Sequence, residues 1–293
     1  MTKQTILVSG GYGQLGFELA RLAPSFGAFD FVFTDRDTLD ITDAVAVEKA
    51  FEKYAPVFFI NCAAYTAVDK AETDRELALA INADAVGIIA ACCSKFDTKL
   101  VHISTDYVFN GKGTSPYLPD DATAPVNYYG ESKWQGEQQA MQHCSDSIII
   151  RTSWVYSEHA HNFVKTMLRL MAERPELSVV NDQVGCPTYA RDLAAAILHI
   201  VNVIHTGEKP LQGGRYHYSN TGVISWFDFA VAIKEMSGFS CEVKGIPTTA
   251  YPTPAARPAY SVMNTQKIQE VYGVPLVPWQ ASLEACIQRL KNN

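Results

Sequence analysis

The first half of the chain alternates between two hydrophobic periods. Short runs rich in β-branched and aromatic residues recur at Ile6–Val8, Phe29–Phe33, Val57–Ile60, Leu100–Ile103 and Ile148–Ile150. Between them lie longer stretches of helical character, at Leu15–Leu22, Val45–Tyr54, Leu77–Ser94 and Lys133–Met141. Strands that alternate with helices are joined by right-handed crossovers into a parallel sheet covered on both faces. The pattern therefore predicts a doubly wound α/β fold. After about Thr152 the rhythm loosens. Phe163–Met171 and Leu193–Val203 read as helices, Leu177–Val180 and Tyr216–Tyr218 as strands. Ser225-Trp-Phe-Asp228 fits the capping box that opens a helix. Four prolines make Pro247–Pro258 irregular, and a last helix is expected near Trp279–Leu290.

Composition narrows the function classes. Across 293 residues, 47% are hydrophobic and 19% charged, which excludes a disordered chain. The net charge of -7 speaks against broad electrostatic binding to nucleic acid or an anionic membrane. No apolar run is read as a membrane span, and the start Met1-Thr-Lys-Gln4 shows no secretory leader. The seven cysteines have no CxxC spacing and mostly apolar neighbours, so they are expected to be reduced core residues of a cytoplasmic protein.

The first strand runs into Ser9-Gly10-Gly11-Tyr12-Gly13-Gln14-Leu15-Gly16 and then a helix. Gly11, Gly13 and Gly16 fit G-x-G-x-x-G, while Gly10, Gly13 and Gly16 fit G-x-x-G-x-x-G. Such a loop needs glycine for a tight turn, for backbone approach to a pyrophosphate, and for close helix–strand contact. The helix amino terminus adds free N–H groups and a positive dipole end. Asp35 follows nineteen residues after Gly16, where a carboxylate can accept bonds from an adenosine ribose. This is the Rossmann-type fingerprint of a dinucleotide site. Asp35 favours NAD because it repels a 2′-phosphate, whereas Arg36 beside it could accept that phosphate. NAD is the favoured coenzyme, with dual use of NADP open. In Asp40-Ile41-Thr42-Asp43, Asp43 or Thr42 could cap the next helix; equally, Asp40 could meet an adenine amino group while Ile41 packs on the ring.

Tyr129-Gly-Glu-Ser-Lys133 puts a phenol and an ammonium on one face of a helix. The spacing alone says little. Its position does more, after the strand Leu100–Ile103 and the polar Ser104-Thr105-Asp106-Tyr107. A hydroxyl, a phenol and an ammonium can run carbonyl chemistry: the lysine lowers the phenol pKa and holds the nicotinamide ribose, the phenol gives a proton as hydride arrives, and the hydroxyl orients the oxygen.

These elements resemble the extended short-chain dehydrogenase/reductase superfamily and, at finer grain, the dTDP-4-dehydrorhamnose reductase family. The finer resemblance rests on Ala67-Val-Asp-Lys-Ala-Glu72, Ser104-Thr-Asp-Tyr-Val-Phe109, Arg151-Thr-Ser-Trp-Val-Tyr156, Asn181-Asp-Gln-Val-Gly-Cys-Pro-Thr188 and Pro252-Thr-Pro-Ala-Ala-Arg-Pro258. It implies NADH- or NADPH-dependent reduction at C4 of a dTDP-linked 4-keto sugar, in dTDP-rhamnose supply for polysaccharide. Tyr129 would be the proton donor, Lys133 its partner and Thr105 the orienting hydroxyl. The glycine loop, including Tyr12, Gln14 and Leu15, would hold the pyrophosphate, and Ala63, Ala64, Tyr65 and Thr66 would line the coenzyme beyond the third strand. Tyr65 stands where relatives carry histidine. Asp106 and Trp154 would face the deoxysugar, and Asn181, Gln183 and Arg257 the nucleotide and diphosphate end.

On this reading residues 1–152 are predominantly a dinucleotide-binding domain with the catalytic residues. Residues 153–293 form a smaller, predominantly substrate-binding portion, packed on the first and partly interleaved with it. Some members of the family bind magnesium through glutamates at a dimer contact. Glu18 matches one of these, Arg191 stands at the second, and Asn292-Asn293 offers no third, so no required metal is expected; a homodimer stays open. His159-Ala-His161 with Glu158 lacks helical metal-ligand spacing and is expected to be a solvated loop. Two other functions compete: a non-catalytic dinucleotide-binding regulatory subunit, and a nucleotide-sugar epimerase or dehydratase.

Overall fold

The computed structural model describes residues 3–292; the expectations drawn from Met1, Thr2 and Asn293 lie outside them. β1 (Gln4–Ser9) leads through α1 (Gln14–Leu22) to β2 (Phe29–Thr34), and α2 (Ala44–Tyr54) returns the chain to β3 (Phe58–Asn61). A long helix follows as α3 (Arg75–Leu79), one π turn (Ala80–Asp84) and α4 (Ala85–Lys95). β4 (Lys99–Thr105), α5 (Tyr128–His143) and β5 (Ile148–Thr152) complete the first half.

The sheet is six-stranded, wholly parallel and ordered β2-β1-β3-β4-β5-β10, where β10 is Gly214–His217. Winding reverses at β1: one crossover leads outward to β2, the next back past β1 to β3. In open α/β sheets the crevice for ligands opens at the carboxyl ends of the strands at such a point.

Strand residues that read as unbroken apolar runs in fact divide by parity between two cores. Ile6, Val8, Phe58, Ile60, Ile148 and Ile150 pack with Leu15 and Leu19 of α1 and Leu193 and Ile197 of α7 (Ala190–His205). Leu7, Phe59, Leu100 and Ile149 pack on the other face with Val47, Phe51, Val86 and Ile89. Arg75–Lys95 is 21 residues long and apolar enough to cross a membrane by length and composition, which corrects the reading that no such segment exists. Its most apolar window is 56% buried, against the sheet, α2 and α5.

The second half contributes β6 (Val155–Tyr156), α6 (Phe163–Glu173), β7 (Glu176–Val180), β8 (Val184–Gly185), β9 (Thr188–Tyr189), α7 and β10. Then come β11 (Ile224–Ser225), α8 (Trp226–Ser237), β12 (Glu242–Ile246), α9 (Gln266–Tyr272) and α10 (Trp279–Asn292). α6, α8 and α10 build a third core around Met167, Met171, Phe229, Ile233, Leu283 and Ile287. The expected capping box forms: Asp228 N–H donates to Ser225, and Ser225 N–H to the Asp228 carboxylate. Three features were not read from the sequence. β12 pairs in parallel with β7, α9 forms, and β10 joins the main sheet beside β5.

Candidate active site

A cavity of about 700 Å³ lies along the carboxyl ends of the strands, between the β1 turn and the start of α5. The glycine loop forms one wall. Gly10 has φ +70, and a Cβ on it would lie 2.7 Å from the Ala63 nitrogen; one on Gly16 would lie 2.3 Å from the Gly10 carbonyl oxygen. These two glycines let the loop fold against β3 and let α1 start directly above it. Gly11 faces Phe33 and Thr34, away from the cavity, whereas Gly10, Tyr12, Gly13, Gln14, Leu15 and Gly16 line it. No side chain caps α1, while Asp43, Asn127, Asn162 and Ser225 cap α2, α5, α6 and α8. α3, α7 and α9 also lack a side-chain cap, but α1 is the helix that starts from the glycine loop in the cavity wall.

At the far end Asp35, Arg36, Asp40 and Ile41 line the same cavity. Asp35 Oδ1 accepts from the Thr38 N–H (3.0 Å) and hydroxyl (2.7 Å), and the Thr38 bonds hold its carboxyl below the usual range. Of the alternatives at 40–43, Asp43 is the cap of α2, accepting from Val45 and Ala46 N–H. Asp40 accepts from Thr42 and still borders the cavity, and Ile41 is buried beside it.

The chemical groups converge at the opposite end. Thr105 closes β4, Tyr129 lies in the first turn of α5 and Lys133 one turn later; all three line the cavity. Asn127 caps α5 by accepting from Gly130 N–H (2.8 Å), and Gly130 lies so close to the Tyr107 carbonyl that a Cβ would meet it at 2.2 Å. Burial pushes the Tyr129 phenol up to about 12, opposed by the Thr105 hydroxyl. The expected lowering by lysine is not seen. Lys133 Nζ instead donates to the Ile103 carbonyl (2.6 Å), turned towards β4. Burial brings the Lys133 ammonium down to about 8, against the raising influence of Glu137 and Cys62.

Asp106 is buried and accepts from Thr105 (3.0 Å), with no geometric hydrogen bond to Oδ2; burial pushes it up to about 6, opposed by the nearby Ser261 hydroxyl and by Thr105. Trp154 also borders the cavity, with φ +50, a strained conformation for a side chain of this size. Its ring stacks on Trp226 at 3.6 Å, and Gly185 approaches it so closely that a Cβ there would meet the indole at 2.8 Å.

Ala63, Ala64 and Thr66 line the cavity, but Tyr65 does not: its hydroxyl donates to Asp74 (2.8 Å) and its N–H to Asn82 Oδ1 (2.8 Å). Asn82 lies in the π turn and its Nδ2 also donates to Ser132 (3.0 Å), tying the loop after β3 to the Tyr129–Lys133 turn. Asn181, Gln183 and Arg257 lie outside the cavity lining. Gln183 donates to Thr248 (3.0 Å), so this loop holds the proline-rich segment. Arg257 donates to Asp69 (2.9 Å), close to Tyr107, which feels both charges at the cavity rim.

Among the cavity groups given no role from the sequence are Cys62 and Tyr107, and His161, expected in a solvated loop, borders the cavity as well. Tyr107 packs edge-on against Tyr129, and its place in the Ser-Thr-Asp-Tyr run was the available signal. The 158–161 segment is more than a solvated loop. His159 stacks on Phe17 at 4.1 Å and faces the Tyr12 carbonyl (2.9 Å), bracing the glycine loop. Glu158 turns inward to accept from the Tyr189 hydroxyl (2.6 Å). At Glu18 the buried carboxylate accepts from Arg191 (3.2 Å) on one oxygen and lies 3.7 Å from Arg21 on the other, and among the described residues no group of three or more His, Cys, Asp or Glu side chains is placed to hold a metal ion.

Residues 4–292 match the family model described as the RmlD substrate binding domain. The chain is 42% identical over 294 residues to the dTDP-4-dehydrorhamnose reductase of Escherichia coli K12, covering 97% of both chains. The solved dTDP-4-dehydrorhamnose reductase of Clostridium acetobutylicum superposes with a TM-score of 0.92 at 38% identity, covering 98% of this chain and 100% of that one. That of Bacillus anthracis, in complex with NADP, gives 0.91 at 39% identity with the same coverage.

Proposed function

The chain belongs to the dTDP-4-dehydrorhamnose reductase family, and from that premise we propose that it reduces the C4 ketone of dTDP-4-dehydro-L-rhamnose to dTDP-L-rhamnose with NADH or NADPH. The carrying observation is that Thr105, Tyr129 and Lys133 meet at one end of a cavity whose other end is the glycine loop and Asp35. The coenzyme supplies hydride to C4. Tyr129, protonated across the working pH range, donates its proton to the carbonyl oxygen as negative charge develops there. Thr105 orients that oxygen, and Lys133 holds the nicotinamide ribose and returns the proton to Tyr129. Asp106, with an unpartnered buried oxygen, receives a sugar hydroxyl, and the stacked Trp154 forms the floor on which the deoxysugar rests. Arg257 and the 181–183 loop serve the nucleotide diphosphate at the rim. Residues 1–152 thus predominantly bind the dinucleotide, and 153–293 predominantly receive the sugar. Seven unpaired cysteines, five of them buried, support a cytoplasmic setting.

On the coenzyme, dual use is the reading favoured by geometry. Asp35 commits one carboxylate oxygen to Thr38, which leaves the other for a ribose, and exposed Arg36 borders the cavity with no ion-pair partner among the described residues. Coenzyme oxidation followed at 340 nm with dTDP-4-dehydro-L-rhamnose should give turnover with both NADH and NADPH. Arg36→Ala should lower kcat/KM for NADPH about tenfold or more and leave NADH within about twofold, since only the former loses a charge-assisted phosphate contact. A folded wild type without turnover would sink the reductase reading, and equal losses with both coenzymes would sink the role of Arg36.

A further inference from the structure

From the cavity lining a file of buried polar groups crosses three strands, with Ser9 at the end of β1, Asn61 at the end of β3, His102 in the middle of β4, and then Lys133 on α5. Ser9, Asn61, His102 and Lys133 are all essentially sealed from solvent. The direction of each bond can be read from one fixed donor. The backbone N–H of Ala63 can only donate, and it points at the Asn61 oxygen (3.2 Å), which also accepts from the Ser9 hydroxyl (2.7 Å). The Asn61 amide nitrogen is therefore the end that faces His102 Nδ1, at 3.1 Å. A nitrogen that receives an N–H cannot itself carry a proton, so Nδ1 is bare and the proton of a neutral His102 is on Nε2. His102 is neutral, because burial and then the Lys133 charge push its pKa well below the ordinary value. Nε2 faces Lys133 Nζ at 3.5 Å.

We propose that His102 is a positioning residue of the reaction: the Ser9–Asn61 pair fixes its Nε2–H tautomer, and that N–H, aimed at the Lys133 amine, sets how tightly Lys133 holds its proton. An N–H directed at an amine is a good partner for the neutral form, which offers a lone pair, and a poor one for the ammonium, which offers only further N–H groups. The contact thus works in the same direction as the burial of Lys133. Facing the amine as well are the Ile103 carbonyl on β4, which accepts from it at 2.6 Å, Cys62 after β3, and Glu137 one turn along α5 itself, and Glu137 and Cys62 favour the ammonium. Arg151 and Arg215 reach the site only through Glu137, whose carboxylate they bind. The outcome is a lysine that gives up its proton near neutral pH, as a group that must resupply Tyr129 in each turnover needs to.

The inference rests on the catalytic reading of Lys133, and two measurements separate the two ideas. The first uses the wild-type enzyme with coenzyme bound and histidines labelled with ¹⁵N. The His102 ring should show a protonated Nε2 and a bare Nδ1 throughout the active pH range; a protonated Nδ1 overturns the proposal whatever Lys133 does. The second is the pH profile of kcat/KM. Activity should fall as pH rises through the Lys133 pKa, so a substitution that removes the opposing N–H moves that alkaline limb upward. His102→Asn keeps an oxygen for the Asn61 amide while falling short of Lys133, and should shift the limb by roughly one pH unit upward. A folded H102N enzyme whose limb stays in place or moves down overturns the proposal. Lys133→Arg, with a permanently charged group, should have no such limb. A limb that persists in that variant would count against the reading of Lys133 and leave the tautomer measurement standing.

Discussion

Replacing Tyr129 by Phe should lower kcat by about 100-fold or more while coenzyme binding stays within a few-fold of wild type. The reason is local. Tyr129 is fixed by the Asn127 cap below it, by the close approach of Gly130 to the Tyr107 carbonyl, and by the edge-on Tyr107 ring. Phe fits this site without disturbing any of these contacts and removes only the oxygen that gives the proton. With the phenol pushed up to about 12, the donor is protonated throughout the useful pH range, so the wild-type profile should carry no limb from Tyr129 below that value. Its descending limb belongs to Lys133, near 8. Single-turnover hydride transfer in Y129F, with coenzyme affinity followed by fluorescence, separates the lost chemical step from lost binding. A loss smaller than about tenfold would mean that water or Asp106 supplies the proton, and the proposed assignment would fail.

Why some of this was legible beforehand and some was not follows from the range of the interactions. The βα rhythm, the glycine loop and the capping box of α8 depend on residues a few positions apart, and each was visible in the sequence. The same holds for Tyr129 and Lys133, which share a face of α5 because they are four positions apart. The relation between Lys133 and His102 could not be seen this way. His102 reads as one polar residue inside an apolar strand; the parallel register of β3 and β4 pairs it with Asn61, and the packing of α5 on β4 brings Lys133 to its ring. Trp154 and Trp226 are joined by tertiary packing across loops with no shared period. The sequence predicts a strand at Tyr216–Tyr218, whereas β10 spans Gly214–His217, and its parallel pairing with β5, far away in the chain, has no local pattern that would announce it. The resemblance assigns Arg257 to the diphosphate end, but nothing local in the sequence says what its side chain meets, and Asp69 is its partner here.

The largest effect on stability is expected at Arg151, far from any solvent. Its guanidinium binds Glu137 through Nε (2.8 Å) and Nη2 (2.6 Å), donates Nη1 to the Pro119 carbonyl (3.0 Å), and lies 4.9 Å from the centre of the Phe109 ring. Glu137 also accepts from Ser104 (2.6 Å) and Arg215 (3.1 Å), so one carboxylate ties α5 to β4, β5 and β10. Both partners of the main pair are sealed from solvent, at 1% and 0% exposure, so neither can be compensated by water when the other is removed. Arg151→Met keeps much of the volume but leaves Glu137 buried with a single ion-pair partner, the partly exposed Arg215. Breaking a buried pair in this way costs about 3–5 kcal/mol, well above the roughly 0–1 kcal/mol of an exposed pair such as Arg169–Glu173. Urea unfolding should show R151M destabilised by that amount, and the double variant Arg151→Met, Glu137→Leu should recover a large part of it, because the stranded charge is gone. The asymmetry is the point of the test. If the single variant loses less than about 1 kcal/mol, or the double variant is worse than the single by the cost of a second cavity, the pair is not what joins α5 to the sheet, and packing of Ala140 and Val86 between them would have to carry that load.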